Sequence, residues 1–343
     1  MTEAESTLVA LRSCLKGEPP VNANWPAIFN LSNRTLLTPA LFEALSRTGQ
    51  LDRLPRDVRA YIEFIHERNL ERNTRLRAQL IEALEALNRA GIEPTLLKGA
   101  VRLFCDSEDR IGGRLTRDLD LSIEEHEADT ARQCLIELGY EDSPDSRGMG
   151  RPRDVGTLEL RQRPRASSAP YLISERDKPS SIVEREGTRA KIPSPTCRAL
   201  HWIVHDLIKE GDYWRGRIDL RHLYDLAELA KAGDEVDWSY LRAIMPDRFG
   251  RNAIETQALT LHHLFGIAIP SSMGQRGIIR FQTWRRLFAA THPKASAPLR
   301  FLANLAWGAR QTAKLGWVKS PNVVDFARRV RRTIVGTDSS AKL

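Results

Sequence analysis

Cysteine is scarce in this chain of 343 residues, and its four copies stand far apart at Cys14, Cys105, Cys134 and Cys197. No Cys-x-x-Cys pair occurs, which argues against a disulfide frame and a thiolate zinc site and for small buried thiols in a reduced compartment. Long apolar runs are missing as well. Nothing approaches the ~18 consecutive apolar residues of a membrane span, so no transmembrane segment is expected. The opening Met1-Thr2-Glu3-Ala4-Glu5-Ser6 lacks the basic stretch and apolar run of a secretory signal. These absences predict a cytoplasmic protein. No internal repeat and no long low-complexity tract is visible, which sets aside solenoids and fibrous classes.

What is present is ordinary in bulk and uneven in distribution. The length of 343 residues is enough for about two domains with a sizeable core, and 41% apolar and 28% charged residues are ordinary for a soluble globular protein. The net charge is +8. Over residues 271–343, fourteen Lys and Arg stand against Asp325 and Asp338, a local balance of +12 that leaves the rest at −4. The basic character belongs to the C-terminal part.

Three regions follow from the hydrophobic pattern. Residues 1–91 read as helical: Thr38-Pro39 forms a cap and first-turn pair, and a long helix over 55–90 carries a stripe of Tyr61, Ile62, Ile65, Leu76, Leu80, Leu84 and Leu87. The Arg-rich stretch 67–77 interrupts the stripe and reads as a solvated face. Gly91 supplies the stop. Residues 92–193 read as strands: a short run at 94–97 ending in Lys98-Gly99, a helix over 100–105, a strand over 118–123 and a helix over 124–138 closed by Gly139. Another strand follows over 155–161 and a hairpin over 181–191, with polar loops over 142–154 and 162–180. Residues 194–343 return to helix, with segments over 195–209, 218–230, 238–244, 252–264, 299–312 and 323–334. The expected class is α+β, a small mixed β-sheet core flanked by helical N-terminal and C-terminal regions.

The strand Asp118-Leu119-Asp120-Leu121-Ser122-Ile123 is the most informative stretch. Alternation puts Asp118, Asp120 and Ser122 on one face and the apolar residues on the other. Two strand rises separate the carboxylates, roughly 6–7 Å, so they can share one hard divalent cation or hold two. A polar surface strand is the plainer alternative, although Asp is depleted in strands. Gly99, where a strand turns into a helix, lets the backbone approach a phosphate, and Lys98 adds a point charge for the same anion. Glu159 alternates with Thr157 and Arg161 on one face of a later strand. It is the candidate third acid, as a ligand or as the base that takes a proton from an attacking hydroxyl.

Leu97-Lys98-Gly99, then Arg114, then Arg117-Asp118-Leu119-Asp120-Leu121 resembles the "LKG … R … DIDLLV" signature of uncharacterised bacterial nucleotidyltransferases in the DNA polymerase β-like superfamily. Leu158-Glu159-Leu160 falls where that family has its third acidic strand, although Arg161 stands where relatives often carry His. The helix over 195–205 ending in His205, together with Asp225 and Asp237-Trp238, resembles the family's helical half. The resemblance spans about residues 55–270 and implies that region 92–193 is a nucleotidyltransferase core. It further implies transfer of a nucleoside monophosphate from an NTP to a hydroxyl, with Mg2+ (or Mn2+) held by Asp118, Asp120 and Glu159. Lys98 and Gly99 would steady the triphosphate, while Arg114 or Arg117 would contact it or brace the acids. The acceptor stays open among protein, RNA and small molecule. The alternative is a non-catalytic nucleotide- or RNA-binding protein on the same fold.

The remaining signals read more plainly. His201 and His205 at i, i+4 lie among Trp202, Ile203, Val204 and Leu207 and suggest packed or hydrogen-bonded side chains. His262-His263 cannot both face one ligand, His222 and Asp225 read as a surface contact on a helix, and Asp219 and Asp225 make no metal pair. Arg215 and Arg217 suit nucleotide contact or surface ion pairs equally. The basic C-terminal region, with Trp284, Phe288, Phe301, Trp307, Trp317 and Phe326, reads first as core aromatics under a basic exterior, then as a nucleic-acid surface, then as a lipid-facing one.

Overall fold

The computed structural model describes residues 1–142, 148–161, 169–172, 180–231, 236–314 and 342–343. Its helices in chain order are α1 (Glu3–Leu15), α2 (Trp25–Arg34), α3 (Thr38–Arg47), α4 (Arg56–Arg89), α5 (Gly99–Cys105), α6 (Ala128–Glu137) and α7 (Pro195–Ile203). They continue with α8 (Asp212–Arg215), α9 (Leu220–Lys231), α10 (Trp238–Ala243), α11 (Arg248–Phe265), α12 (Gly277–Thr291) and α13 (Pro293–Lys314). The strands are β1 (Thr95–Leu97), β2 (Asp118–Ser122), β3 (Glu141–Asp142), β4 (Met149–Gly150), β5 (Thr157–Arg161), β6 (Ser181–Arg185) and β7 (Thr188–Ile192). They form one mixed sheet in the order β3-β4-β5-β2-β1-β7-β6. This is the expected α+β architecture, a single mixed sheet flanked by helices.

The chain forms two compact units. One comprises residues 13–21 and 37–201 and holds the whole sheet; the other comprises residues 1–12, 22–36 and 202–343. The described part of the second is helical apart from a bridge between Asp219 and Lys342.

In the sheet unit, α4 supplies the principal packing surface. Ile62, Leu76, Leu80, Leu84 and Leu87 recur at helical spacing and are fully buried. The helix ends where Gly91 takes a φ of +79°. There Gly91 N–H donates to Asn88 and Ile92 N–H to Leu87, both at 2.9 Å, closing the end in a Schellman turn. The apolar face of the sheet, with Leu96, Leu119, Leu121 and Leu158, joins Leu80, Leu84, Val101, Phe104 and Leu135 in one core. Each such side chain contributes about 1.5–3 kcal/mol by leaving water. Packing that face leaves the opposite one for the acids.

Local details differ from the sequence reading for identifiable reasons. Thr38 lies inside α3 and is buried, with Leu37 at the cap and no side-chain cap bond. The helix expected over 124–138 begins instead with a short 3₁₀ turn, where the Glu124 and Glu127 side chains form a reciprocal capping box. The helix after residue 195 loosens into one π turn over Val204–Lys209. Helix α12 has no recognisable apolar stripe, since the face it buries (Ile279, Gln282, Thr283, Arg286 and Ala289) is mostly polar while Ile278, Phe281 and Trp284 lie exposed. Helix α13 runs through Pro298 and so begins earlier than expected. The loops over 142–154 and 162–180 fall partly, and the helix over 323–334 wholly, outside the described residues.

Burial of His66 on α4 predicts a pH-dependent stability. Its ring packs at a tilt against Phe42, ring centroids 4.3 Å apart, beneath Gly112, where an added Cβ would meet the imidazole at 2.5 Å. Burial lowers its pKa from 6.5 and outweighs the opposing charge of Glu67. The unfolded chain therefore binds this proton first as pH falls. The contribution to stability is complete above about pH 6.5 and is lost as pH falls toward the folded value. We expect the urea midpoint of the wild type to fall between pH 7.5 and 5.5 by more than that of His66→Gln; equal falls would show that His66 is not the source.

Candidate active site

The acidic residues meet because of strand register. Strand β2 runs parallel to β5, with Asp118 opposite Thr157 and Asp120 opposite Glu159. Paired residues on neighbouring strands share a face about 4.8 Å apart, so Asp120 and Glu159 stand side by side, with Asp118 on the same face. On the other side β1 is antiparallel to β2 and Leu97 pairs with Asp120. Lys98 therefore leaves the sheet next to the buried carboxylate.

Two cations pair with the acids. Lys98 Nζ lies 2.9 Å from Asp120 Oδ2. Arg161 Nε donates to Asp120 Oδ1 at 2.7 Å, and Arg161 Nη2 donates to Glu159 Oε2 at 2.8 Å and also reaches Asp120 Oδ1. One nitrogen bonding both carboxylates holds their oxygens within two hydrogen-bond lengths, about 6 Å. Asp120 is only 1% exposed. Burial raises its pKa, but the charges of Lys98 and Arg161 outweigh burial and leave it below the usual carboxylate value. Asp118 is half-buried and makes no ion pair among the described residues. The backbone at Lys98, with φ +50° and ψ −119°, is strained for a residue with a side chain.

Helix α4 places both acid strands, and its polar stretch is the largest correction to the sequence reading. One face of the stretch 67–77 is solvated as expected, with Glu67, Arg68, Glu71, Thr74 and Arg75 exposed, but the other face is a clamp. Asn69 Nδ2 donates to the carbonyls of Gly112 (2.6 Å) and Arg114 (3.1 Å), and Asn73 Nδ2 to those of Ile111 (2.6 Å) and Arg114 (2.7 Å). Arg72 donates to the Thr116 carbonyl before β2 and, at 2.9 Å, to the Val155 carbonyl before β5. One guanidinium thus ties together the entries to the two acid-bearing strands.

The other candidates have distinct places. Gly99 begins α5, and a Cβ there would meet Arg114 Nη1 at 2.6 Å and Thr116 Cγ2 at 2.7 Å. Arg114 is buried and bonds Thr116 Oγ1 at 3.3 Å, so it braces the turn. The Arg117 side chain is exposed. Lys98, Asp120 and Glu159 are brought together, with Asp118 two positions away. Arg161 was not assigned a role from the sequence, although it shares a face with Glu159 two residues earlier.

In the helical unit, the surface reading of His222 is overturned: it is buried, and its Nδ1 lies 2.9 Å from Asp206 Oδ1. Asp225 is buried too. His205 is hydrogen-bonded to the same Asp206 oxygen, as a packed polar side chain would be. His262 Nδ1 lies 2.9 Å from the Ile267 carbonyl beyond α11. Arg215 Nε donates to Asn304, and Arg217 is buried. The aromatic residues of the basic part do not all enter the core: Trp284 and Phe301 are more than half exposed. Several of its cations turn inward instead. Arg286 is buried and bonds Gln257 and Thr260, Arg285 donates to the Tyr213 and Trp214 carbonyls, and Lys342 pairs with Asp212. Trp317, Phe326 and the cluster at 328–332 lie outside the described residues. No helix of the described residues is long and apolar enough to cross a membrane.

Carboxylates aligned on one sheet face beside lysine and arginine suit a class of enzymes that transfers phosphorus groups with a divalent metal. The chain belongs to the family of uncharacterised nucleotidyltransferases, whose profile matches residues 22–266. Its general activity is nucleotidyl transfer and its donor substrate an NTP. No curated protein and no solved structure matches the chain.

Proposed function

We propose that the protein moves a nucleoside monophosphate from an NTP to a hydroxyl of a protein, RNA or small-molecule acceptor, with magnesium, or manganese in its place, held by Asp118, Asp120 and Glu159. One observation carries the reading. Asp120 and Glu159 sit in register on one face of adjacent strands, close enough for a single Arg161 nitrogen to bond both.

The donor set suits a hard cation, since magnesium takes a few carboxylates plus phosphate oxygens. Both Asp120 oxygens already have cationic partners, so binding the ion requires Lys98 or Arg161 to move. Their side chains are long and 14% and 28% exposed, and the triphosphate offers them new acceptors. Magnesium would neutralise charge on the transferring phosphate and align the attacking hydroxyl. In the chain's own part of the reaction, Lys98 and Arg161 hold phosphate oxygens, and Glu159 takes the proton of the hydroxyl. A bond forms from the acceptor oxygen to the α-phosphorus, and the bond from the α-phosphorus to the bridging oxygen breaks, releasing pyrophosphate. The exposed Trp284 and Phe301 and the basic tail suit a nucleic-acid acceptor, by stacking and by phosphate contact.

The pairing of both Asp120 oxygens with Lys98 and Arg161 also favours a second reading, a protein that binds nucleotide or RNA without turnover. Incubating wild type and Asp118→Asn with each labelled NTP, Mg2+ or Mn2+ and a cell extract separates the two. Metal-dependent label on protein, RNA or metabolite that vanishes in the variant supports transfer and names the acceptor class. Saturable NTP binding with no label under any condition decides for the binding protein.

A further inference from the structure

A second group of ligand-type side chains lies within the helical unit, apart in composition from the three carboxylates. The π turn Val204–Lys209 carries His205 and Asp206, and α9 carries His222. Ligand atoms of these three residues all lie within 4.8 Å of one another. Both imidazoles direct Nδ1 at the same oxygen, Asp206 Oδ1, each at 2.9 Å. Asp206 Oδ2 is buried and has no hydrogen-bond partner among the described residues. Here two imidazole nitrogens crowd one carboxylate oxygen while the other, buried, stays bare.

We propose that His205, Asp206 and His222 bind a first-row transition-metal ion, zinc foremost, that pins the π turn to α9. The geometry is close to what such an ion demands. Around tetrahedral zinc with bonds near 2.0–2.1 Å, neighbouring ligand atoms stand about 3.3 Å apart, so the 2.9 Å contacts need to open by only a few tenths of an ångström. Asp219 adds a further carboxylate at the edge, its Oδ2 3.6 Å from His222 Nδ1 and its Oδ1 held by the His222 N–H at 3.0 Å. Two imidazoles select against magnesium and calcium and for zinc and its neighbours. Burial of the set, with Asp206 1% and His222 6% exposed, favours a structural ion. The π turn carries two of the three ligands, and π-bulges gather at functional sites.

The test uses the full chain, stripped with chelator and titrated with Zn2+ against a chromophoric competitor, and separately with Co2+. The expected result is one Zn2+ per chain with Kd below about 1 µM, a raised Tm, and the visible bands of tetrahedral Co2+. His205→Ala, at the more exposed ligand, weakens binding by about 100-fold or more, as does His222→Gln; Asp118→Asn leaves it unchanged and so separates this ion from the one at the carboxylates. Far-ultraviolet circular dichroism establishes that each variant is folded. Wild-type Kd weaker than about 100 µM, or equal binding by the folded histidine variants and the wild type, overturns the proposal.

Discussion

Asp118→Asn is expected to lower transfer at least about 10³-fold while leaving the fold as stable as wild type. Loss of a metal ligand removes several kcal/mol of stabilisation of the charge on the transferring phosphate, and each 1.36 kcal/mol is tenfold in rate. Asp118 is half-buried and has no ion pair among the described residues, so the amide removes only its longer-range attraction for the Arg72 guanidinium. Its stability change stays within about 0.5 kcal/mol. Asp120→Asn loses as much activity but also stability, on the order of 2 kcal/mol, because Lys98 and Arg161 lose the charge that holds them. The cost lies below that of a fully buried pair since both cations reach solvent. Measured together, kcat/KM and urea midpoints thus distinguish the two aspartates. Full activity in Asp118→Asn would remove it from the metal set.

Much of this site was readable from local pattern. Alternation in Asp118-Leu119-Asp120-Leu121 sorted acids from core residues, and Lys98-Gly99 marked the turn from β1 into α5. The stripe on α4 and its stop at Gly91 came from helical spacing. What escaped depends on partners far away in sequence. The role of Arg161 exists only because β5 lies beside β2 in a register that sets Glu159 opposite Asp120. Asn69, Arg72 and Asn73 look like solvated helix residues until the segment over 111–117 folds across them. The same holds for His222, whose partner Asp206 lies 16 residues earlier. Such polar residues carry no periodic signal, because each serves one carbonyl or one carboxylate instead of a continuous apolar face.

Gly156, just before β5, tests whether the spacing of the two acid strands sets the rate. A Cβ at this position would stand 2.6 Å from Leu76 Cδ2 and 2.7 Å from the backbone oxygen of Arg117. The leucine can turn aside. The Arg117 carbonyl belongs to the chain entering β2 and cannot retreat without carrying Asp118 with it, while Gln79 and Arg72 hold the Gly156 and Val155 carbonyls on the other side. Gly156→Ala should therefore push β5 away from β2 and cost about 1–3 kcal/mol, as overpacking does. A displacement approaching 1 Å between reacting groups is worth roughly 10²-fold in rate, so kcat should fall by about that factor although every acid is intact. Gly150→Ala is the matched control: on β4, its nearest added contact is Thr157 Cγ2 at an ordinary 3.6 Å, and both activity and stability should stay near wild type. A Gly156→Ala variant that loses stability yet keeps full kcat would show that the site tolerates movement between β2 and β5, and that Asp118 and Glu159 do not act on one phosphate as a unit.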